Sequence, residues 1–325
     1  MDSAVLVPEG RSIPTKEFLP NSLTGYLHPD YAASLAEFGE LVRLPRSGGY
    51  LLRRRIPGTD LFDAIGTYPY LTCVSWHQLA DDLDELETRE PDLVSVTAAP
   101  DPFGDFRPDE LRRAFPDLCN PYKQHYVADL TLADEEIVAA HHMRKLPKVY
   151  RSLSVEVVDE PVKYLSTWLE LFEHPIRRFS LTGIRAFSAR AFQFQLSIPG
   201  VLLWLVKHNG EPVAAALTML HNNAAHAHLL AATPLGRKLG ASYALYHANI
   251  QGLRRYVRWI DWGAVPGNSD SETGLKKFKS GWATGTQPAY LCGRICNRAH
   301  YERLARETGT TSSEFFPCYR SATGI

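Results

Sequence analysis

The stretch VLLWLVKHNGEPVAAALTMLHNNAAHAHLLAATPLGRKLGASYALYHANIQGLRRYVRWIDWG (201–263) decides the fold. Three apolar runs, at 201–207, 212–221 and 224–232, are punctuated by His208-Asn209-Gly210 and by Asn222-Asn223. Links of two to four residues leave room only for hairpins, so the runs predict a three-stranded antiparallel meander. A long helix is expected next, from about Ala241 to Tyr256, with Leu245, Ile250, Leu253 and Tyr256 among its apolar residues. VRWIDWG (257–263) is the following strand. A loop, a short helix from Ser271 to Lys279, the strand PAYLCGRI (288–295) and a last helix over 298–307 complete an order β-β-β-α-β-α-β with a closing helix.

Upstream, TLADEEIVAAHHMRKLPKVYRSLSVEVV (131–158) predicts a helix with Thr131 as N-cap, an acidic first turn, a basic last turn and an end near Pro147, then a strand over 153–158. Helical stretches over roughly 160–173 and 181–194 separate it from the meander. Towards the N-terminus a helix is expected from Pro29 to Phe38. Strands are expected at 50–56, near Leu71 to Ser75, at 92–99 and at 122–130, with helices from Trp76 to Glu87 and from Pro108 to Phe115. Alternating strands and helices indicate a mixed α/β class. The expected division is an arm over 1–25, a first domain over 26–158 and a second over 159–325.

Bulk composition agrees with two ordinary cores: 325 residues, 45% hydrophobic and 22% charged. A net charge of -1 without large blocks of either sign argues against coating nucleic acid, and no DNA partner is expected. No run approaches the roughly 18 apolar residues of a membrane helix. The opening MDSAVLVPEGRSIP also lacks the regions of a secretory signal, so a cytoplasmic protein without membrane insertion is expected. The five cysteines, Cys73, Cys119, Cys292, Cys296 and Cys318, are odd in number and spread out, which predicts free thiols. Cys292 and Cys296 share a strand face, but no second Cys/His pair has ligand spacing, so no metal is expected.

WIDWGAVPG (259–267), with a strand ending in Asp before a glycine turn, and GLKKFKSGW (274–282), with Leu-x-x-Phe-Lys, carry a resemblance. The helix from Tyr243 to Gly252 and the segment DLTLADEEIVAAHHMRKLPK (129–148) add to it. In order, these resemble the double-domain branch of the acetyltransferase (GNAT) superfamily, which includes Fem-type peptidoglycan-bridge aminoacyltransferases and acyltransferases of bacterial polysaccharide and antibiotic pathways. The likeness spans about residues 60–295 and is strongest after residue 200. AIGTYPY (64–70) resembles a Pro, Tyr and Gly loop of the first domain, whereas Ala264 replaces the second glycine after Asp261. The resemblance implies two acetyltransferase-like domains, each a mixed, mostly antiparallel sheet flanked by helices. It also implies direct transfer of an activated acyl or aminoacyl group to an amine.

In that superfamily a phosphate-bearing donor docks where a strand feeds a helix. TPLGRKLGASYAL (233–245) offers Arg237, Lys238, Gly240 and Ser242 there. Glycine admits backbone N–H groups to a phosphate, and the helix dipole favours the anion; alternatively Gly240 only starts the helix and Ser242 caps. Lys276 and Lys279 share a helix face, and the Fem-like resemblance implies a phosphate contact for Lys279. Lys277 reads as solvated. Asp261, closing its strand, either meets the incoming ammonium or binds N–H groups of the turn at Gly263 to Gly267. Tyr243 and Tyr246 present phenols to the substrate or belong to the core. His226 and His228 share a strand face, better read as satisfied sheet histidines than as a relay, and His141-His142 read as surface.

No nucleophile elbow and no Walker sequence occurs, which suits direct attack on a carbonyl that is already activated. The function expected is N-acyl transfer from aminoacyl-tRNA to the amine of a small-molecule, peptide or cell-wall-like acceptor, with no tightly bound cofactor. The Asp-x-Gly and Phe-Lys stretches fit that donor. The compact 180–200 region and the Arg237 to Ser242 stretch fit acyl-CoA instead, and a ligand-binding module without catalysis is the third reading.

Overall fold

Val, Leu, Ile and Ala between turn residues form the strands because such side chains fill a pleated, largely buried surface. The computed structural model describes residues 23–265 and 270–323, so nearly all of the arm expected over 1–25 lies outside the described residues, as do Pro266 and Gly267 of the glycine turn. Eleven strands occur among the described residues. They are β1 (Glu40–Arg43), β2 (Tyr50–Arg55), β3 (Phe62–Gly66), β4 (Leu93–Ala98), β5 (Leu118–Asp129), β6 (Ser154–Val157), β7 (Val201–His208), β8 (Glu211–His221), β9 (Ala224–Ala232), β10 (Trp259–Asp261) and β11 (Gly285–Ile295).

The chain divides into two compact units: a meander unit of residues up to Tyr31 with Gln124–Gln287, and a second unit of Ala32–Lys123 with the residues from Pro288 onward. These limits differ from the single break expected at 158/159. Pairing is the reason: β11 runs antiparallel to β4 with Cys292 opposite Ala98 and Ile295 opposite Ser95, so the C-terminal strand belongs with N-terminal ones. Behind it, Arg320 Nε donates to Asp63 Oδ2 at 2.7 Å, and the Tyr319 and Ser95 hydroxyls share a hydrogen bond of 2.7 Å. The strand order of the second unit is β1-β2-β3-β4-β11. Its β1 was not expected from sequence, AIGTYPY begins inside β3, and the strand expected near Leu71 to Ser75 reduces to one bridge between Leu71 and Pro100.

In the meander unit the order is β6-β7-β8-β9-β10-β5. The meander β7-β8-β9 is antiparallel as expected, with Leu205 opposite Ala215 and Leu217 opposite Leu229. Its turns place Asn209, Asn222 and Asn223 at φ of 51°, 50° and 58°, a left-handed region that asparagine tolerates. Strand β10 lies parallel to β9 and antiparallel to β5. The last β9–β10 pair is His226 with Asp261, yet β9 continues to Ala232, so the two strands part beyond that pair. Helix Ala241–Leu253 lies over the Ile260 face, where Leu245, Ile250 and Leu253 pack with Trp204, Leu220 and Ala225. Helix Leu165–Phe179 packs on β8 and β9.

The helix expected from Thr131 is instead broken into Asp134–Ile137, Ala140–Met143 and Leu146–Tyr150. Thr131 is no cap, since its N–H and hydroxyl both donate to Asp129 Oδ1; the N-cap is Ala133, whose N–H donates to Glu136. At the first break the Ala139 N–H donates to Gly281 O at 2.9 Å, a tertiary bond in place of a helical one. Pro147 falls in the first turn of the last piece.

An unexpected helix, Pro234–Leu239, follows β9. Thr233 caps it, accepting from the Gly236 N–H at 2.9 Å, and a Cβ on Gly236 would lie 2.3 Å from Val213 O. Gly236→Ala is therefore expected to destabilise the protein by about 1–3 kcal/mol, lowering the thermal midpoint by several degrees in a fluorimetric melt. An unchanged midpoint would show that helix and strand can separate freely.

Candidate active site

Asp261 sits where β10 ends and is almost wholly buried, at 1% exposure. A charge there must be matched by donors. His125 Nδ1 lies 3.0 Å from both carboxylate oxygens, His226 Nδ1 lies 3.3 Å from Oδ2, and the Gly263 N–H donates to Oδ1 at 2.7 Å. Register explains the gathering. Asp261 faces Val127 across the antiparallel pair, which puts His125, two residues away, on the same side, and it faces His226 across the parallel pair. Burial alone would raise the Asp261 pKa, but the hydrogen bonds from His125 and His226 outweigh it and hold the carboxyl below its ordinary range. Of the two roles expected for Asp261, the bond to the turn is observed. His125, His226 and the turn surround the carboxylate.

Further histidines continue this face. His221 lies 5.1 Å from His226, ring to ring, and Tyr26 reaches in from the N-terminal segment with its hydroxyl 3.0 Å from His228 Nδ1. Burial, then the charge of His226, pushes both His221 and His228 down to about 3, so both are neutral near pH 7. Tyr26, His125 and His221 were missed in the sequence reading. The alternation His125, Val127, Asp129 was a visible signal for His125; nothing local marked Tyr26.

At the end of the unit where β9 and β10 part, the basic and aromatic candidates assemble. The Lys279 ammonium donates to Trp262 O at 2.6 Å and to Ala264 O at 2.8 Å, so it clamps the turn that follows Asp261. Tyr246 stacks on Trp262 at 4.1 Å and meets Phe278 at 4.9 Å; burial, then the Asp261 charge, raises its phenol pKa. Tyr243 is less enclosed, 5.1 Å from Phe278, with its hydroxyl accepting from Lys145 Nζ at 2.8 Å. Gly240, at φ 85°, joins helix Pro234–Leu239 to helix Ala241–Leu253, and its own N–H turns back to Arg237 and Gly236 carbonyls. Its structural task is thus the left-handed hinge. Arg237 Nη1 donates to Ala232 O at 2.6 Å, while Lys238 and Lys276 are exposed and Ser242 is half-buried in the first turn.

His142 corrects an expectation: it is buried, not surface. Its ring stacks on Trp282 at 4.9 Å, and Nδ1 donates to Gly281 O at 3.1 Å. Burial pushes it down to about 4, leaving a neutral imidazole 5.1 Å from the Tyr243 ring. Gly281 is required here, since a Cβ would lie 2.3 Å from His142 Cε1.

Residues 140–280 match the family model described as an acetyltransferase (GNAT) domain. No curated protein matches the chain in sequence. Among solved structures, FemX superposes with a TM-score of 0.64 at 14% identity, over 84% of this chain and 92% of that one. The C-terminal domain of a candidate lysylphosphatidylglycerol synthetase from Agrobacterium fabrum gives 0.58 at 14% identity, over 83% and 88%. L-PGS from Bacillus licheniformis gives 0.55 at 13%, over 85% and 95%. At such identities the likeness is one of fold, a mostly antiparallel sheet flanked by helices.

The buried histidines have a consequence for stability. Because the His221 pKa is lower folded than unfolded, the unfolded chain binds the extra proton as pH falls from about 6.5 towards 3. The wild type should then lose about 1.4 kcal/mol per pH unit on account of this side chain. Asp261 adds to that slope only below about pH 4, since its stabilisation persists above the unfolded carboxyl pKa and fades below it. His221→Gln should flatten the dependence of urea-unfolding free energy on pH between 6 and 4 by about one proton. An unaltered slope would mean that His221 is not buried neutral.

Proposed function

Because residues 140–280 match the model of a GNAT acetyltransferase domain, we propose that the chain is an acyltransferase of that superfamily and transfers an aminoacyl group from aminoacyl-tRNA to an acceptor amine. The observation that carries this reading is the parting of β9 from β10 beyond His226 and Asp261, with the start of helix Ala241–Leu253 and the Lys279 clamp at the same end. A gap in the sheet admits the activated carbonyl edge-on, so that strand N–H groups can polarise its oxygen. The first turn of a thirteen-residue helix leaves donors directed at an anionic carrier, and Arg237 and Lys238 stand beside it. Lys279 keeps the turn 262–265 in place and puts a positive charge near any phosphate that enters.

The attacking amine must lose a proton. Asp261, ionised and enclosed, acts as a positioning residue: a ring that donates Nδ1–H to it carries its lone pair on Nε2, which makes His226 or His125 the acceptor. Tyr243, with Lys145 on its hydroxyl, is assigned to the acceptor or the acyl group, and Lys276 to the outer edge of the carrier. Tyr246 supports this surface from the core. Similarity to FemX and to a lysylphosphatidylglycerol synthetase domain favours an aminoacyl donor and leaves cell-wall-like, lipid or small-molecule acceptors open. Acyl-CoA is the second reading, favoured by the helix start after Gly240.

Transfer from labelled charged tRNA, compared with transfer from acetyl-CoA, each with and without ribonuclease, tests the donor. Ribonuclease-sensitive transfer is the expected outcome, and transfer that ribonuclease leaves intact would exclude RNA. Lys279→Ala should lower kcat/KM by roughly 10–100-fold, as expected for loss of a charge-assisted contact. Full activity in that variant would remove Lys279 from the site.

A further inference from the structure

Cys292 lies in the core of the second unit: it is 0% exposed, stands opposite Ala98 of β4 and belongs to the cluster that holds Leu93, Val96 and Phe115. A thiol in such a place behaves as a small hydrophobe, and burial pushes its pKa up. Packing alone does not call for a second sulfur beside it. Cys119, in the opening residues of β5 and only half-buried, supplies one, and the Cys292 S–H points to its Sγ at 3.9 Å. Both cysteines belong to the second unit, yet they are 173 positions apart in sequence.

The backbone suits a covalent bond between them. β11 and β5 are neighbours in the strand order, and their ends are fastened: the Ile295 N–H donates to Asp117 Oδ2 at 2.7 Å, and Arg298 Nη2 donates to Asp117 Oδ1 at 2.5 Å. Residues side by side on adjacent strands have Cα atoms roughly 4.5–5.5 Å apart, inside the range that a disulfide spans. A disulfide bond is about 2.0 Å long, so the two sulfurs must approach by roughly 1.9 Å. Turning one sulfur about its Cα–Cβ bond covers that distance.

We propose that Cys119 and Cys292 form an oxidative modification site, a thiol pair that a peroxide closes to a disulfide. Cys119, the one that a small oxidant can reach, reacts first. Its thiolate attacks one peroxide oxygen, the O–O bond breaks, and a sulfenic acid forms while the other oxygen leaves as water with the proton that the thiol gave up. The Cys292 sulfur then attacks the Cys119 sulfur; the S–O bond breaks, the S–S bond forms, and the hydroxyl leaves as water with the Cys292 proton, which already points at that sulfur. Two thiols together lose two electrons, and one peroxide is reduced to two waters. Burial of Cys292 slows the loss of its proton, and the preformed contact offsets this because the reacting sulfurs are already adjacent. The closed pair ties β5 to β11 across 173 positions and so restricts the unfolded chain. The acyl donor plays no part in this chemistry.

The full-length chain, reduced and then freed of reductant under nitrogen, is exposed to hydrogen peroxide, alkylated with N-ethylmaleimide and digested with trypsin without reduction. Cleavage after Arg113, Lys123, Lys279 and Arg294 puts Cys119 in peptide 114–123, Cys292 in 280–294 and Cys296 in a third, so mass spectrometry tells these pairings apart. The expected result is peptide 114–123 cross-linked to 280–294, with two of the five thiols lost and both restored by dithiothreitol. Cys292→Ala should leave Cys119 as a sulfenic acid that dimedone traps. Cys119→Ser, a change at the less buried position, should keep all its thiols through the same treatment. Oxidised wild type should melt several degrees above the reduced protein, a shift absent from Cys119→Ser. Oxidation of Cys119 to the sulfinic acid without a cross-link, a disulfide to Cys296 instead, or equal thiol loss in wild type and Cys119→Ser would each overturn the proposal.

Discussion

A carboxylate taken out of water must be compensated on every side, and in the meander unit that carboxylate is Asp261. Three separate segments meet on it: β5 through His125, β9 through His226 and the following turn through the Gly263 N–H. Taking one partner from such a group is expensive, commonly ~3–5 kcal/mol, because the charge stays buried without its match. The arrangement therefore fixes where β10 stops and how the chain leaves it. The same turn is held from its other side by Lys279, whose ammonium binds Trp262 O and Ala264 O. Acid and base both act on the same few residues of backbone.

The parting of the sheet follows from this. Past the His226–Asp261 pair, β9 keeps its ladder with β8, while the chain after β10 stays with β5, where Trp262 N–H donates to Tyr126 O and Tyr126 N–H to Gly263 O. Two parallel strands that follow different neighbours must separate. Tyr246, stacked on Trp262, and Phe278 fill the space beneath, which fixes helix Ala241–Leu253 against helix Asp270–Ser280. Gly240 then only has to supply the left-handed hinge that brings the helix start to this end.

Much of the sheet was legible from local signals. The meander was readable because Asn209-Gly210 and Asn222-Asn223 are turn residues at spacings that permit nothing longer. Asp261 stood out as a candidate because it is a carboxylate before a glycine turn, and Lys279 because of its Phe-Lys context. The linking helix was misread, although its acidic and basic turns were present, because Asp129 captured Thr131 and Gly281 captured the Ala139 N–H. The domain division was misread for a related reason: residues from Pro288 onward pair with β4 rather than with their sequence neighbours.

The sequence by itself determined the strands of the meander, where its hairpins turn and which residues are candidates for acyl transfer, since periodicity and turn chemistry act over a few residues. Only the tertiary structure decided that Asp261 is enclosed by His125 and His226, that Tyr26 lies on His228, and that His142 is buried against Trp282. Those contacts join residues up to 202 positions apart. Strand register and helix packing set such distances, and neither is encoded in the local pattern of any one segment.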